Sequence, residues 1–211
     1  MTGLYDIKVE HTTSNRSSVN EYATERYAIG YILQGRCRIM HDREWSEVEE
    51  QSVYLIEQGH NTIEHLTGYT GCFEELVIYF DGDIAKPCSH IDDEQSERRF
   101  LRTVMCGIPT NLTIDQLAER CFVSASTFKR RFREHYNIAP HTWFMDRRLE
   151  LAHQIITTTN LRIKNISSIC GFVSFSHFVA TFRQRYGITP ARLRRSVSRQ
   201  RSIHLTVASN R

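Results

Sequence analysis

Ser126, Lys129, Arg130 and Arg133 have the side-chain types and the spacing to hydrogen-bond a nucleic acid. If Phe128 and Phe132, an i, i+4 pair, turn inward on one helix, these four share the outward side and offer hydroxyl, ammonium and guanidinium donors to base edges and phosphates. A second constellation, His60, Glu64 and His65, consists of metal-ligating types. The two histidines stand five apart with no H-x-H pair, so neither a metal nor another cofactor is expected. Cys37, Cys72, Cys88, Cys106, Cys121 and Cys170 make no C-x-x-C pair and no Cys/His zinc spacing, and they read as buried thiols. No G-x-S-x-G elbow or P-loop occurs, and the chain is not read as an enzyme.

The wider composition says what those donors would meet. Residues 1–96 carry 7 Lys+Arg and 18 Asp+Glu, a balance of −11, whereas residues 97–211 carry 20 and 6, a balance of +14. Such a reversal argues for two domains with different partners, the basic one suited to a polyanion and the acidic one turned away from it. With 211 residues, 40% hydrophobic and only 4 Pro and 10 Gly, the chain excludes collagen-like and disordered classes. No run approaches ~18 apolar residues, and Met1–Glu10 lacks the charged start and apolar run of a signal peptide. No membrane partner and a cytoplasmic location are therefore expected.

The acidic half alternates strand-length apolar runs, Tyr27–Leu33, Cys37–Met40, Ser52–Ile56 and Phe73–Phe80, with breaks at Gly35, residues 41–43, Gln58-Gly59 and residues 68–71. An antiparallel meander follows, of about six strands at normal lengths, fewer than a full eight-stranded jelly roll needs. Its longest runs, Tyr27–Leu33 and Phe73–Phe80, are expected to leave edges for a second copy to cover. Asp81–Glu97, with Gly82, Pro87 and Asp92-Asp93-Glu94, has linker composition.

Beyond it the period changes to 3.6. A first helix around Phe100–Met105 ends at Gly107 and Pro109, and Thr113-Ile-Asp-Gln116 fits a capping box for a second, to about Cys121. Ser124 caps a third, Pro140 opens a long fourth to about Thr158, and a fifth, Ile163–Cys170, stops at Gly171. A sixth runs Ser174–Tyr186, and a short one starts at Thr189-Pro190 before a tail expected to fray. This half repeats itself. Residues 124–140 and 174–190 agree at eight of seventeen positions, and Ile114, Leu117, Ala118 and Cys121 answer to Ile163, Ile166, Ser167 and Cys170. Each copy is helix, tight turn, helix, with a small residue at the crossing, the helix-turn-helix arrangement.

Leu112–Ala118, Val123-Ser124, Phe128-x-x-x-Phe132-Arg133, Arg147–Ala152, Ile166-x-x-Ile-x-x-Gly171-Phe172, Ser174-x-Ser-His-Phe178, Phe182-Arg183 and Tyr186–Pro190 resemble the DNA-binding domain of the AraC/XylS family of bacterial transcription regulators. The resemblance implies an α+β chain: an N-terminal antiparallel β domain, partly jelly-roll or cupin-like, then an all-α domain of two helix-turn-helix units joined by one long helix. It implies base contacts from Ser126, Lys129 and Arg130 on the first recognition helix and from Phe175, Ser176, Val179 and Ala180 on the second, with Thr127, Arg133, His177, Arg183 and Arg185 on phosphates. The second helix lacks a long polar reader, which leaves apolar contact with thymine methyl groups. Arg147 and Arg148 are expected to pack inside the bundle.

The implied division is 1–83 for a cupin-like regulatory or dimerisation domain, 84–97 for an acidic linker, 98–195 for DNA binding and 196–211 for a basic tail. The implied partners are double-stranded DNA, an effector (small molecule or protein) at the β domain, and a second copy of the chain through that domain. A cupin-like metalloenzyme with a basic appendage and a regulator whose first half only docks a protein are the alternatives.

Overall fold

A computed structural model describes residues 7–41, 44–80 and 94–208. Eight strands come first: β1 (Ile7–Ser14), β2 (Ser18–Thr24), β3 (Ala28–Gln34), β4 (Arg36–His41), β5 (Glu44–Val48), β6 (Val53–Ile56), β7 (Gly59–Leu66) and β8 (Phe73–Phe80). They form two four-stranded sheets with the orders β1-β8-β3-β6 and β2-β7-β4-β5, a jelly-roll arrangement. The expected six strands thus become eight. β1, β2 and β5 lie at sheet edges and are largely exposed, β5 on both faces, so their sequences are mostly polar and carry little of the apolar run that marks β3 or β8. β7 begins at Gly59, which the sequence marks as a break.

The expected dimer edges are also corrected. β3 and β8 are interior strands, Ala28–Gln34 pairing with both β6 and β8, and β8 pairing with both β1 and β3. Their two faces explain their apolarity. Ala28, Ile32, Tyr54, Phe73 and Val77 turn toward Cys37 and Ile63 of the second sheet. Ile7, Val9, Ile29, Leu76, Ile78 and Phe80 turn the other way, into one core shared with the helices.

Seven helices follow: α1 (Glu94–Gly107), α2 (Ile114–Arg120), α3 (Ala125–Tyr136), α4 (Pro140–Thr158), α5 (Ile163–Ile169), α6 (Phe175–Tyr186) and α7 (Pro190–Ala208). Residues 84–93 of the expected linker, with Cys88, lie outside the described residues, and Glu94–Glu97 already belong to α1. α7 corrects the expectation of a short helix and frayed tail. From Ala191 to Ala208 no Gly or Pro interrupts a stretch rich in Arg and Ser, and it stays helical.

α4 has Pro140 at its first turn and buries Trp143, Phe144, Leu149, Leu151, Ala152, Ile155 and Ile156. It is buried on most sides because the sheet, α3, α5 and α7 all pack on it. No helix among the described residues is long and apolar enough to cross a membrane.

Candidate nucleic-acid interface

The first unit is α2, a turn and α3. Thr113 caps α2 through the reciprocal box with Gln116, and Ala118, 1% exposed, allows the close helix crossing. The turn closes with Val123 N–H donating to the Ala118 carbonyl, 3.1 Å, and places Phe122 at φ +56°. Ser124 Oγ accepts from the Thr127 amide, 3.1 Å, and lies 2.9 Å from the Thr127 hydroxyl, so Thr127 is held by the cap itself. Phe128 and Phe132 are fully buried against Phe100, Trp143 and Phe144.

With that face fixed, Ser126, Lys129, Arg130 and Arg133 come out together along one open concavity of about 620 Å³. Glu134 shares it and accepts from Arg130 at 3.1 Å. This face can present donors to base edges and phosphate oxygens, with Arg130 pre-aimed by its partner.

The second unit, α5, turn and α6, repeats the design. Ser167, 2% exposed, takes the place of Ala118, Phe172 N–H donates to the Ser167 carbonyl at 2.9 Å, and Ser174 Oγ accepts from the His177 amide at 3.3 Å. Gly171 occupies the left-handed position, φ +73°, answering Phe122. A Cβ there would overlap the Thr110 carbonyl, so this turn demands glycine.

Phe178 and Phe182 are buried, whereas Phe175, Ser176, His177, Ala180 and Arg183 are exposed. Val179 is half-buried and packs toward the core, leaving the exposed front of α6 with an aromatic ring, a hydroxyl, an imidazole and a methyl group. Arg185 is drawn sideways, its Nη2 3.8 Å from Glu150 Oε1. The two recognition surfaces are unequal, as their sequences imply.

Arg147 and Arg148 lie within the bundle. Arg147 is 5% exposed and pairs with Glu150 at 2.8 Å, while Arg148 donates to the carbonyls of Gly107, Ile108 and Thr110, tying α4 to the end of α1. Burial holds the Glu150 carboxyl above its ordinary range, against the pull of Arg147 and Arg185.

In the β half, period-two alternation separates the suspected metal ligands. His60 and Glu64 lie on the exposed side of β7, Glu64 paired with Arg38, while His65 turns into the sandwich. Among the described residues no group of three His, Cys, Asp or Glu could hold a metal. Of the cysteines, Cys37 and Cys170 are buried and Cys72, Cys106 and Cys121 partly so. Burial pushes Cys37 up to about 12 and Cys106 up to about 11.

Sequence reading missed Glu75. Its carboxylate is 1% exposed, accepts from the Tyr54 hydroxyl at 2.6 Å and stands 3.3 Å from His65 Nε2. Burial raises Glu75 and lowers His65. The only signal was a carboxylate at an inward position of a strand that is apolar apart from its neighbour Glu74. Beside it, Tyr54, Glu75, Val77 and Tyr79 line a cavity of about 120 Å³.

Residues 5–139 match the family described as AraC-like ligand binding domain, and residues 117–196 match a helix-turn-helix domain family. The chain belongs to the AraC family. The AraC-family chain is 38% identical over 69 residues to the HTH-type transcriptional regulator ExsA of Pseudomonas aeruginosa, covering 33% of this chain and 25% of that protein. It is 33% identical over 143 residues to the regulator GbdR of the same species, covering 60% and 36%. The chain therefore spans about a quarter to about a third of the length of these curated relatives. Among solved structures, the DNA-binding domain of AdpA in complex with a target DNA is 26% identical, covers 49% of this chain and 96% of that one, and has a TM-score of 0.46.

Proposed function

We propose that this AraC-family chain is a sequence-specific transcription regulator that reads duplex DNA with α3 and α6 and is modulated through its β half by an effector. The observation that carries the reading is the pair of capped helix-turn-helix units, each burying a Phe-x-x-x-Phe face so that its other face is free. Base contacts fall to Ser126, Lys129 and Arg130 from α3 and to Phe175, Ser176, Val179 and Ala180 from α6. Phosphate contacts fall to Arg133, His177 and Arg183, with Thr127 and Arg185 contributing once freed from the Ser124 cap and from Glu150.

The names of the curated relatives, transcriptional regulators, agree with this reading. With it goes a division into a β domain to residue 83, a link to 97 whose last four residues begin α1, a DNA-binding domain to 195 and a basic tail carried on α7. A second copy would join through the β half, whose second sheet has β2 and β5 as edges.

Fluorescence anisotropy of the full chain on a duplex selected from random sequence tests the reading. Affinity is expected to fall steeply with salt, and Arg133→Ala to lower the log-log salt slope by about 1. A flat salt response would sink the proposal.

A further inference from the structure

A cluster of unpaired charge lies beside α6, away from its base-reading positions. Between the end of α6 and the outer side of α7 is an open cleft of about 660 Å³ whose floor is the Gly187–Thr189 turn and whose walls carry Arg183, Arg192, Arg195 and Arg199. No carboxylate lines it, and none of these four arginines has an ion-pair partner among the described residues. Arg192, Arg195 and Arg199 follow at i, i+3 and i+7, one stripe of the helix. The opposite side of α7 is spoken for: Leu193 packs on the core and Arg194 Nε donates to the Ile156 carbonyl at 2.9 Å.

Packing does not require this stripe. The corresponding positions of the first copy are Thr142, Met145 and Leu149 on α4, and Leu149 is buried. A solvated helix face ordinarily mixes signs at i, i+4. α7 has Arg at 192, 194, 195, 199 and 201 and no Asp or Glu. Its first two turns also place Arg192 and Arg195 at the positive end of the helix dipole, where cations are disfavoured and an anion is stabilised. The arrangement is unfavourable for the chain alone and favourable around a polyanion.

We propose that the α6–α7 cleft is a DNA-backbone clamp beside the second recognition face, in which Arg192, Arg195 and Arg199 continue from Arg183 to hold phosphates of duplex flanking the site read by α6. It rests on the DNA reading above and extends the footprint past the second recognition helix. Because it touches only phosphates, it adds affinity without changing sequence preference.

The test uses the full chain and its Arg195→Ala/Arg199→Ala variant on two duplexes: the selected site with about one turn of flank beyond the α6 half-site, and the same site trimmed flush there. On the flanked duplex the variant is expected to bind more weakly, with a log-log salt slope lower by roughly 2, the yield of two lost phosphate contacts. On the trimmed duplex the two proteins should bind alike, and a selection from random DNA should return the same motif for both.

Equal binding of the flanked duplex by the two proteins, while Arg130→Ala still weakens it, would overturn the clamp and leave the DNA reading standing. Loss of inorganic phosphate binding in the variant with DNA affinity unchanged would also overturn it, assigning the cleft to a small phosphorylated ligand. An altered motif in the variant would make the stripe a base reader instead.

Discussion

Arg130 and Arg148 show how the same side chain takes opposite roles according to what surrounds it. Arg130 extends from α3 beside Lys129 with Glu134 as its one ion-pair partner among the described residues, so its guanidinium can exchange that contact for a base edge. Arg148 donates to the carbonyls of Ile108 and Thr110 just past the end of α1, and to that of Gly107, which also accepts from the Thr110 hydroxyl. Lys129→Ala and Arg130→Ala are therefore expected to leave folding intact and relax sequence preference in one half of the operator, each costing ~1–3 kcal/mol where a bidentate base contact is lost. Ser176→Ala should cost less, and the reverse ranking in a binding assay would show that α6 is the main reader. Arg148→Ala should instead lower unfolding stability by roughly 2–4 kcal/mol in denaturant titration, since it strands buried acceptors. At this scale the sequence disclosed the exposed face of α3 because a Phe-x-x-x-Phe pair assigns the remaining positions outward. It could not disclose Glu75, whose meaning depends on Tyr54 and His65 arriving from other strands.

The elements that were legible are those whose ends are chemically marked. Thr113, Ser124 and Ser174 cap, Pro140 opens and Gly171 closes, and the boundaries of α2, α3, α4 and α6 fall on or beside those residues. β1, β2 and β5 were not legible, because an edge strand with one wet face shows little apolar periodicity and its partner is distant in sequence. The end of α7 was misread because basic, Ser-rich composition resembles a tail whether or not it is helical. The turn of the second unit gives the sharpest prediction at this scale. Gly171→Ala combines a positive φ with overlap at the Thr110 carbonyl, and a loss of about 1–3 kcal/mol is expected by thermal or chemical unfolding. An unchanged midpoint would mean that the turn is not held as described.

Across the whole molecule, the first sheet is covered on both faces, by the second sheet and by the helices, so the acidic and basic halves share a core although their charges differ. The charge reversal marks two halves of opposite sign but not this union, since an apolar run does not say which layers cover it. Leu76→Ala or Ile78→Ala, on the face toward the helices, is expected to cost 2–5 kcal/mol and to shift one unfolding transition reported alike by strands and helices. Separate transitions for the two halves would contradict the shared core.

The histidines add a pH dependence. Burial lowers His65, His135 and His153 below the usual 6.5, so the native state keeps them neutral while the unfolded chain takes up protons as pH falls through about 6.5. Each then contributes stability that is present above that pH and lost below it. Raised Glu75 and Glu150 act in the opposite sense, stabilising below about 4.5 and losing that contribution as pH rises. His153→Gln should therefore lose less stability than the wild type between pH 7.5 and 5.5, and parallel curves would refute a neutral, half-buried His153.

The most direct measurement is a hydroxyl-radical footprint of the full chain on its selected duplex. Two recognition helices on one rigid body should protect two patches centred about one helical turn apart, roughly 34 Å, on the same face of the DNA, with Arg130→Ala weakening one patch more than the other. A single patch, or protection spread evenly without phase, would contradict a chain that reads duplex DNA with both α3 and α6.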